Sequence, residues 1–199
     1  ASDVYKRQLL QDVNKGWLQK IREDAPDHVM GSTTTGGETT PGAVKVGKGG
    51  EYANLDAVVM DAVNELIDVV YQDDDDLVVI CGRELLSDKY FPLVNKEQEN
   101  SEKLAADMII SQKRMGGLQA VRAPFFPPNA LLITRLDNLS IYWQEDTRRR
   151  SVIDNPKRDR IENFESVNEA YVVEDYRCAA LVENIQIGDF SAAAAEAGA

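Results

Sequence analysis

Between Leu55 and Val70 the apolar positions fall at Leu55, Val58, Val59, Ala62, Val63, Leu66, Ile67 and Val70. This is the i, i+3, i+4, i+7 stripe of a helix with one buried face, and Asp61, Asn64, Glu65 and Asp68 keep the other side polar. Asn54 stands where an N-cap belongs, and Asp56 follows where the helix dipole favours a carboxylate. Asp73 to Asp76 then stop the helix, because adjacent carboxylates at a C-terminus repel one another and the dipole. Leu77 to Cys81 is an unbroken apolar run of strand length, the pattern of a strand covered on both faces. Gly82 lets the chain turn, and helical spacing resumes from Glu84 to Val94 through Leu85, Leu86, Tyr90 and Phe91. Burying the eight stripe residues contributes about 10 kcal/mol gross before chain entropy is subtracted. Residues 52–94 are therefore the expected organising core.

On either side the pattern is less regular. Leu10, Val13, Trp17, Leu18 and Ile21 predict a helical segment over 9–30 that ends near Pro26. Residues 31–50, rich in Gly, Thr and Ser, predict a flexible loop. Residues 95–100 are polar, and Leu104 to Ser111 is a short apolar segment before the Gly116-Gly117 turn. From there the texture is β: Ala120 to Ala123, the joins at Pro124 and Pro127-Pro128, then short strands at Leu131–Thr134 and Leu139–Trp143. Residues 144–165 are highly charged and predict an extended surface loop, while Tyr171–Val173 and Ala179–Ile187 predict a final strand pair. The Ala-rich tail 191–199 has little to bury and is expected to be disordered. No internal repeat is present.

Composition narrows the function classes. The 199 residues are 43% hydrophobic and 28% charged, as in a globular protein with a sizeable core. Thirty-four acids against 22 bases leave a net charge of −12, which argues against a general nucleic-acid binder. No stretch approaches the roughly 20 apolar residues that cross a bilayer, and no signal-peptide pattern occurs, so no membrane partner is expected. Cys81 and Cys178 lie in apolar runs and read as two buried thiols, with a disulfide as the alternative. Residues 1–8 lack an initiator Met, and Asp3 to Gln8 is what the codons GAT GTG TAT AAG AGA CAG encode. Those codons resemble the transposon end used to tag DNA fragments, so residues 1–8 are expected to be a sequencing artefact preceding a longer natural chain.

Motifs for chemistry are weak. Gly42 to Lys48 matches most of a P-loop, but Gly49 replaces the magnesium-binding hydroxyl and no apolar strand precedes it. Asp73 to Asp76 lack the alternation, glycine and late glutamate of a calcium loop and read as a solvated turn. His28 is the only histidine, which excludes an ordinary zinc site and leaves no imidazole with an evident nucleophile. No enzyme activity, cofactor or metal is expected. The one basic cluster, Arg148, Arg149, Arg150, Lys157, Arg158 and Arg160, is interleaved with Asp154, Asp159 and Glu162. Pairing with acids of a partner subunit, or simple solvation, fits it better than DNA binding. Tyr142-Trp143 beside it reads as core rather than contact.

Four long stretches carry a family resemblance: VGKGGEYANLDAVVMDA (46–62), DLVVICGRELLSDKYFPLVNKEQENSE (76–102), the run from Leu104 to Trp143, and ENFESVNEAYVVEDYRCAALVENI (162–185). Over nearly all of 9–190 the chain resembles the major capsid proteins of tailed bacteriophages, of the peduovirus type. The resemblance implies an α+β Hong Kong 97-type capsid fold. Residues 9–50 would lead from the peripheral domain, 51–135 form the axial domain, and 136–190 return as peripheral strands with a charged loop facing neighbours. The family's N-terminal arm, extended loop and spine helix are missing from this sequence. Their absence implies that Trp17 and part of the final strands are poorly covered. The implied function is a structural subunit of an icosahedral shell around double-stranded DNA. Its implied partners are its own copies in hexamers and pentamers, a scaffold protein, a portal and the packaged DNA. The implied location is the virion, assembled in the bacterial cytoplasm. Two alternatives are an α/β nucleotide-binding domain or enzyme, and a cellular nanocompartment shell of the same fold.

Overall fold

The computed structural model describes residues 14–35, 38–94 and 112–191. The expectations for residues 1–13, the polar and apolar segments within 95–111, and the tail beyond residue 191 lie outside the described residues. In chain order the elements begin with α1 (Trp17–Asp24), β1 (Val29–Met30), β2 (Ser32–Thr35), β3 (Glu38–Pro41) and β4 (Val44–Val46). Then come α2 (Leu55–Leu66), α3 (Val69–Gln72), β5 (Leu77–Cys81) and α4 (Arg83–Val94). After them follow β6 (Arg114–Met115), β7 (Leu118–Arg122), β8 (Leu131–Arg135) and β9 (Leu139–Trp143). The last are β10 (Arg149–Asn155), β11 (Arg160–Ser166), β12 (Glu169–Val173), β13 (Ala180–Val182) and β14 (Ile185–Ile187).

The centre is a mixed six-stranded sheet in the order β1-β13-β8-β5-β7-β6. β5 runs parallel to β7 and antiparallel to β8, with Val79 opposite both Ala120 and Ile133. All five residues of β5 are buried, as the unbroken apolar run predicts. Strand alternation divides them. Leu77, Val79 and Cys81 face a core shared with Leu55, Val58, Val59 and Ala62 of α2, whereas Val78 and Ile80 join Trp17, Leu18 and Ile21 of α1. The sheet is thus sandwiched between α1 and α2, and β8 repeats the division with Leu131 and Ile133 against Leu132.

Local chemistry explains the elements. The Asn54 side chain accepts the Ala57 N–H at 2.9 Å and starts α2. Removing that cap by Asn54→Ala should cost about 1 kcal/mol, read as a lower thermal midpoint with unchanged circular dichroism at 20 °C. At the same end, Asp56 accepts the Gly116 N–H at 2.6 Å and the Lys89 ammonium at 2.6 Å, tying α2 to the β6–β7 turn and α4. The helix ends at Leu66, not beyond Val70 as the stripe predicts: Ile67 turns to extended backbone and Asp68 caps the separate α3. His28 Nδ1 donates to the freed Leu66 carbonyl. Val70 is consequently 76% exposed. The four-aspartate run follows α3, where Asp74 accepts the Asp76 N–H and pairs with Arg135.

Several other expectations change. Residues 31–50 are not one loop: β2 and β3 form a hairpin, and β4 lies parallel to β14 with Val44 and Val46 buried. β4 falls within the P-loop-like stretch, so that segment is a strand rather than a strand-to-helix phosphate loop. Trp17 is 8% exposed, not poorly covered, because Tyr171 of β12 meets it edge-on at 5.5 Å and its indole N–H donates to the Ser140 carbonyl. The final strands do not pair with each other: β12 joins β9, β13 joins β8 and β1, and β14 joins β4. Cys81 and Cys178 are free and buried, and burial pushes the Cys81 thiol up to about 11.

Candidate inter-subunit surface

Beyond the central sheet the chain leaves as a ribbon. β9 and β12 pair antiparallel from Leu139 opposite Val173 to Trp143 opposite Glu169. Past an elbow at 144–148 and 167–168, the ribbon continues as the β10–β11 hairpin, from Arg149 opposite Ser166 to Asn155 opposite Arg160. The predicted extended loop is therefore an ordered hairpin. Its turn is a short 3-10 segment, Pro156–Arg158, closed by Asp159 in the left-handed region at φ 48°. The Asn155-Pro156 pair and Asp159 are the sequence signal for that turn.

The ribbon's root is held by polar bonds. Buried Asn138 donates to Thr134 Oγ1 at 3.0 Å and to the Asp175 carbonyl at 2.8 Å, and its own side-chain oxygen accepts the Asp175 N–H at 2.7 Å. The Asp175 carboxylate accepts from Arg177 and from the Tyr71 hydroxyl, at 2.8 and 2.9 Å. Chiefly the Arg177 guanidinium holds its pKa down to about 2. A depressed carboxyl contributes stability that is present above its unfolded value near 4 and lost as pH falls through 2. The thermal midpoint of Asp175→Asn should thus lie below that of the parent at neutral pH, and the two should converge as pH drops from about 4 to 2. A gap independent of pH would rule out this origin. Further out, the Tyr142 hydroxyl donates to Glu174 at 2.9 Å, and hydroxyls of Ser140 and Tyr142 hold that carboxyl below the usual range.

The hairpin separates the predicted basic cluster into two ends. Arg149 and Arg150 lie on β10 with Arg148 just before it, and both Arg148 and Arg150 approach Glu165, at 3.9 and 3.4 Å. Lys157 and Arg158 occupy the turn, and Arg160 opens β11 with its guanidinium Nε 2.7 Å from Glu162. Six residue steps at about 3.3 Å put the two ends roughly 20 Å apart, so they are not one patch. Arg149, Lys157 and Arg158 have no ion pair among the described residues.

The apolar component was missed by sequence reasoning. Trp143 is 70% exposed and Tyr142 56%, which overturns their reading as core. With the sheet edge ending at β12, nothing among the described residues packs over them. On the hairpin, alternation puts Ile153 and Phe164 on one face and Val152 and Ile161 on the other, all exposed. A two-stranded hairpin exposing large apolar residues on both faces is marginal in water and is the kind of surface that association covers. Single exposed residues here support no internal packing, so Ile161→Ser should shift the chain's stability by no more than about 0.5 kcal/mol in urea titration. Among the described residues no cluster of His, Cys, Asp or Glu could hold a metal, and no helix is long and apolar enough to cross a membrane.

Residues 1–185 match the family described as phage major capsid protein, P2 family. The capsid protein of Escherichia phage P2 is 60% identical over 203 residues, covering all of this chain and 57% of that protein. The major capsid protein of Serratia phage KSP20 is 38% identical over 180 residues, covering 89% of this chain and 51% of the relative. Among solved structures, a chain of the satellite phage P4 procapsid, which includes the size determination (Sid) protein, superposes with a TM-score of 0.80 at 58% identity. That match covers 92% of this chain and 54% of the other. The chain spans little more than half the length of these relatives, and its mixed α/β fold is that of a phage capsid protein. The continuous match over residues 1–185, together with the 60% identical relative, establishes that this chain belongs to the P2 family of phage major capsid proteins.

Proposed function

We propose that the chain is part of a structural subunit that self-assembles into the icosahedral capsid shell enclosing phage double-stranded DNA. The observation carrying this reading is the exposed ribbon: two apolar faces and cations without ion pairs among the described residues, on a subunit 60% identical to a capsid protein. Many modest contacts repeated in a closed lattice add up to a stable shell, so no single pocket need carry the affinity. In finer terms the fold is Hong Kong 97-type. Residues 51–135 form the axial domain, with β1 and β13 completing its sheet, and residues 136–190 form peripheral strands and the charged hairpin. Residues 9–50 lead from the peripheral domain. The N-terminal arm, extended loop and spine helix belong to the part of the relatives' length that this chain does not span.

The subunit works by binding its own copies in hexamers and pentamers, with a scaffold protein and portal as assembly partners, and has no catalytic role. Its location is the virion shell, built in the bacterial cytoplasm. The net charge of −12 keeps such a shell from gripping packaged DNA. The test is to substitute the chain for the matching stretch of the Escherichia phage P2 capsid protein, co-express it with that phage's scaffold protein, and examine the product by electron microscopy. Closed shells of one size support the reading, and soluble monomers overturn it.

A further inference from the structure

At the elbow, where β9 and β12 give way to the hairpin, Trp143, Gln144, Glu145, Asp146, Val167 and Glu169 line a cleft of about 570 Å³. The elbow is fixed from within: Asp146 adopts φ 59°, and the Thr147 hydroxyl donates to the Gln144 carbonyl at 2.7 Å. The cleft offers an exposed indole and Val167, bordered by the carboxylates of Glu145, Asp146, Glu165 and Glu169 and by one guanidinium, Arg148, which approaches Glu165. Glu169 is engaged by the Tyr171 hydroxyl, whereas Glu145 and Asp146 have no ion pair among the described residues. At the far end of the same ribbon, Pro156, Lys157 and Arg158 form an exposed turn with two unpaired cations. Residues 148–166 hold six basic and four acidic residues, a net +2, and the rest of the chain therefore carries −14.

We propose that the hairpin turn Pro156–Arg158 of one copy docks in the elbow cleft of the next copy, joining subunits head to tail along their ribbons. This rests on the shell reading above and specifies one of its contacts. The occupant is a second copy because the two surfaces are complementary in charge and in chemistry. The cations of the turn meet Glu145 and Asp146, a guanidinium or ammonium stacks on the Trp143 face, and Pro156 packs on Val167. Donor and acceptor surfaces are different patches of the same chain, so the contact is heterologous and closes into rings when the rotation allows. The turn cannot fill its own cleft, since the seven-residue strands hold the two roughly 20 Å apart. Among the acidic surfaces, the cleft is preferred over the four-aspartate turn, where Asp74 is already paired with Arg135.

The test uses Glu145→Cys with Arg158→Cys in the subunit that assembles shells. A disulfide requires Cα atoms within about 7 Å, so this pair can link only between copies. Cys81 and Cys178 are buried and do not compete. Oxidised shells should give a ladder of covalent oligomers on a non-reducing gel, absent from either single variant. Independently, Lys157→Glu with Arg158→Glu should lower shell yield about tenfold or more, and adding Glu145→Lys should restore it. Shells whose subunits stay monomeric on the gel, and whose yield ignores the charge reversal, overturn the contact while leaving the shell reading intact and assign the cleft to another segment or partner. Absence of shells from the unmodified subunit overturns the shell reading, and the contact falls with it.

Discussion

Gly31→Ala should destabilise the chain by several kcal/mol and loosen β1 from the central sheet. Gly31 has φ +89°, and a Cβ built there would sit 2.0 Å from the Glu183 carbonyl oxygen and 3.2 Å from Val44 Cγ2. Neither obstacle yields easily, because Glu183 donates its N–H to the Met30 carbonyl at 2.9 Å and Val44 is buried. Holding a non-glycine residue at such a φ costs roughly 1–3 kcal/mol, and the overpacking costs about as much again. Against a typical total of about 5–15 kcal/mol that is a large share. For a chain of this size the thermal midpoint should fall by roughly ten degrees, read by circular dichroism. The Arg22–Glu183 ion pair shares this corner, so amide exchange at Met30 and Glu183 should accelerate together. An alanine variant melting within two degrees of the parent would show that the close approach is not maintained in solution.

Ile133→Ala should cost about 2–5 kcal/mol, near the upper end of single core truncations. Ile133 is fully buried at the centre of β8, opposite Val79 of β5 on one side and Ala180 of β13 on the other. Its face packs against the α2 side of the core, and both flanking strands are fixed by their own ladders, so the site cannot collapse around the lost atoms. Urea titration should show a lower midpoint with an unchanged slope. Ile187→Ala in β14, where the side chain is 45% exposed, is the matched control and should change little. Equal losses at both positions would contradict the two-faced core.

These predictions separate surfaces that stabilise the subunit from surfaces that join it to others. Residues of the β10–β11 hairpin are expected to contribute little to the stability of the isolated chain, and in the shell proposed above they act in assembly. The buried β5, β8 and β13 behave in the opposite way.

What the sequence determined by itself is the central unit. The apolar stripe from Leu55, the Asn54 cap and the run Leu77–Cys81 correspond to α2, its cap and the fully buried β5. Their signals are local: helix period, side-chain chemistry at a helix end, and a strand apolar on both faces need only neighbours along the chain. The family was legible too, because the matching wording runs continuously over most of the chain. Tertiary structure alone decided the rest. Whether Val70 continues a helix depended on Asp68 capping a new turn, and whether Gly and Thr residues near 31–50 stay loose depended on β14, 141 residues away, pairing with β4. Trp17 and Trp143 show the same limit from opposite sides. An indole is apolar in any sequence, yet Tyr171 covers one and nothing described covers the other. Burial is a property of what lies across space, and the pairing of distant strands, which sets it, leaves no periodic mark in the residues themselves.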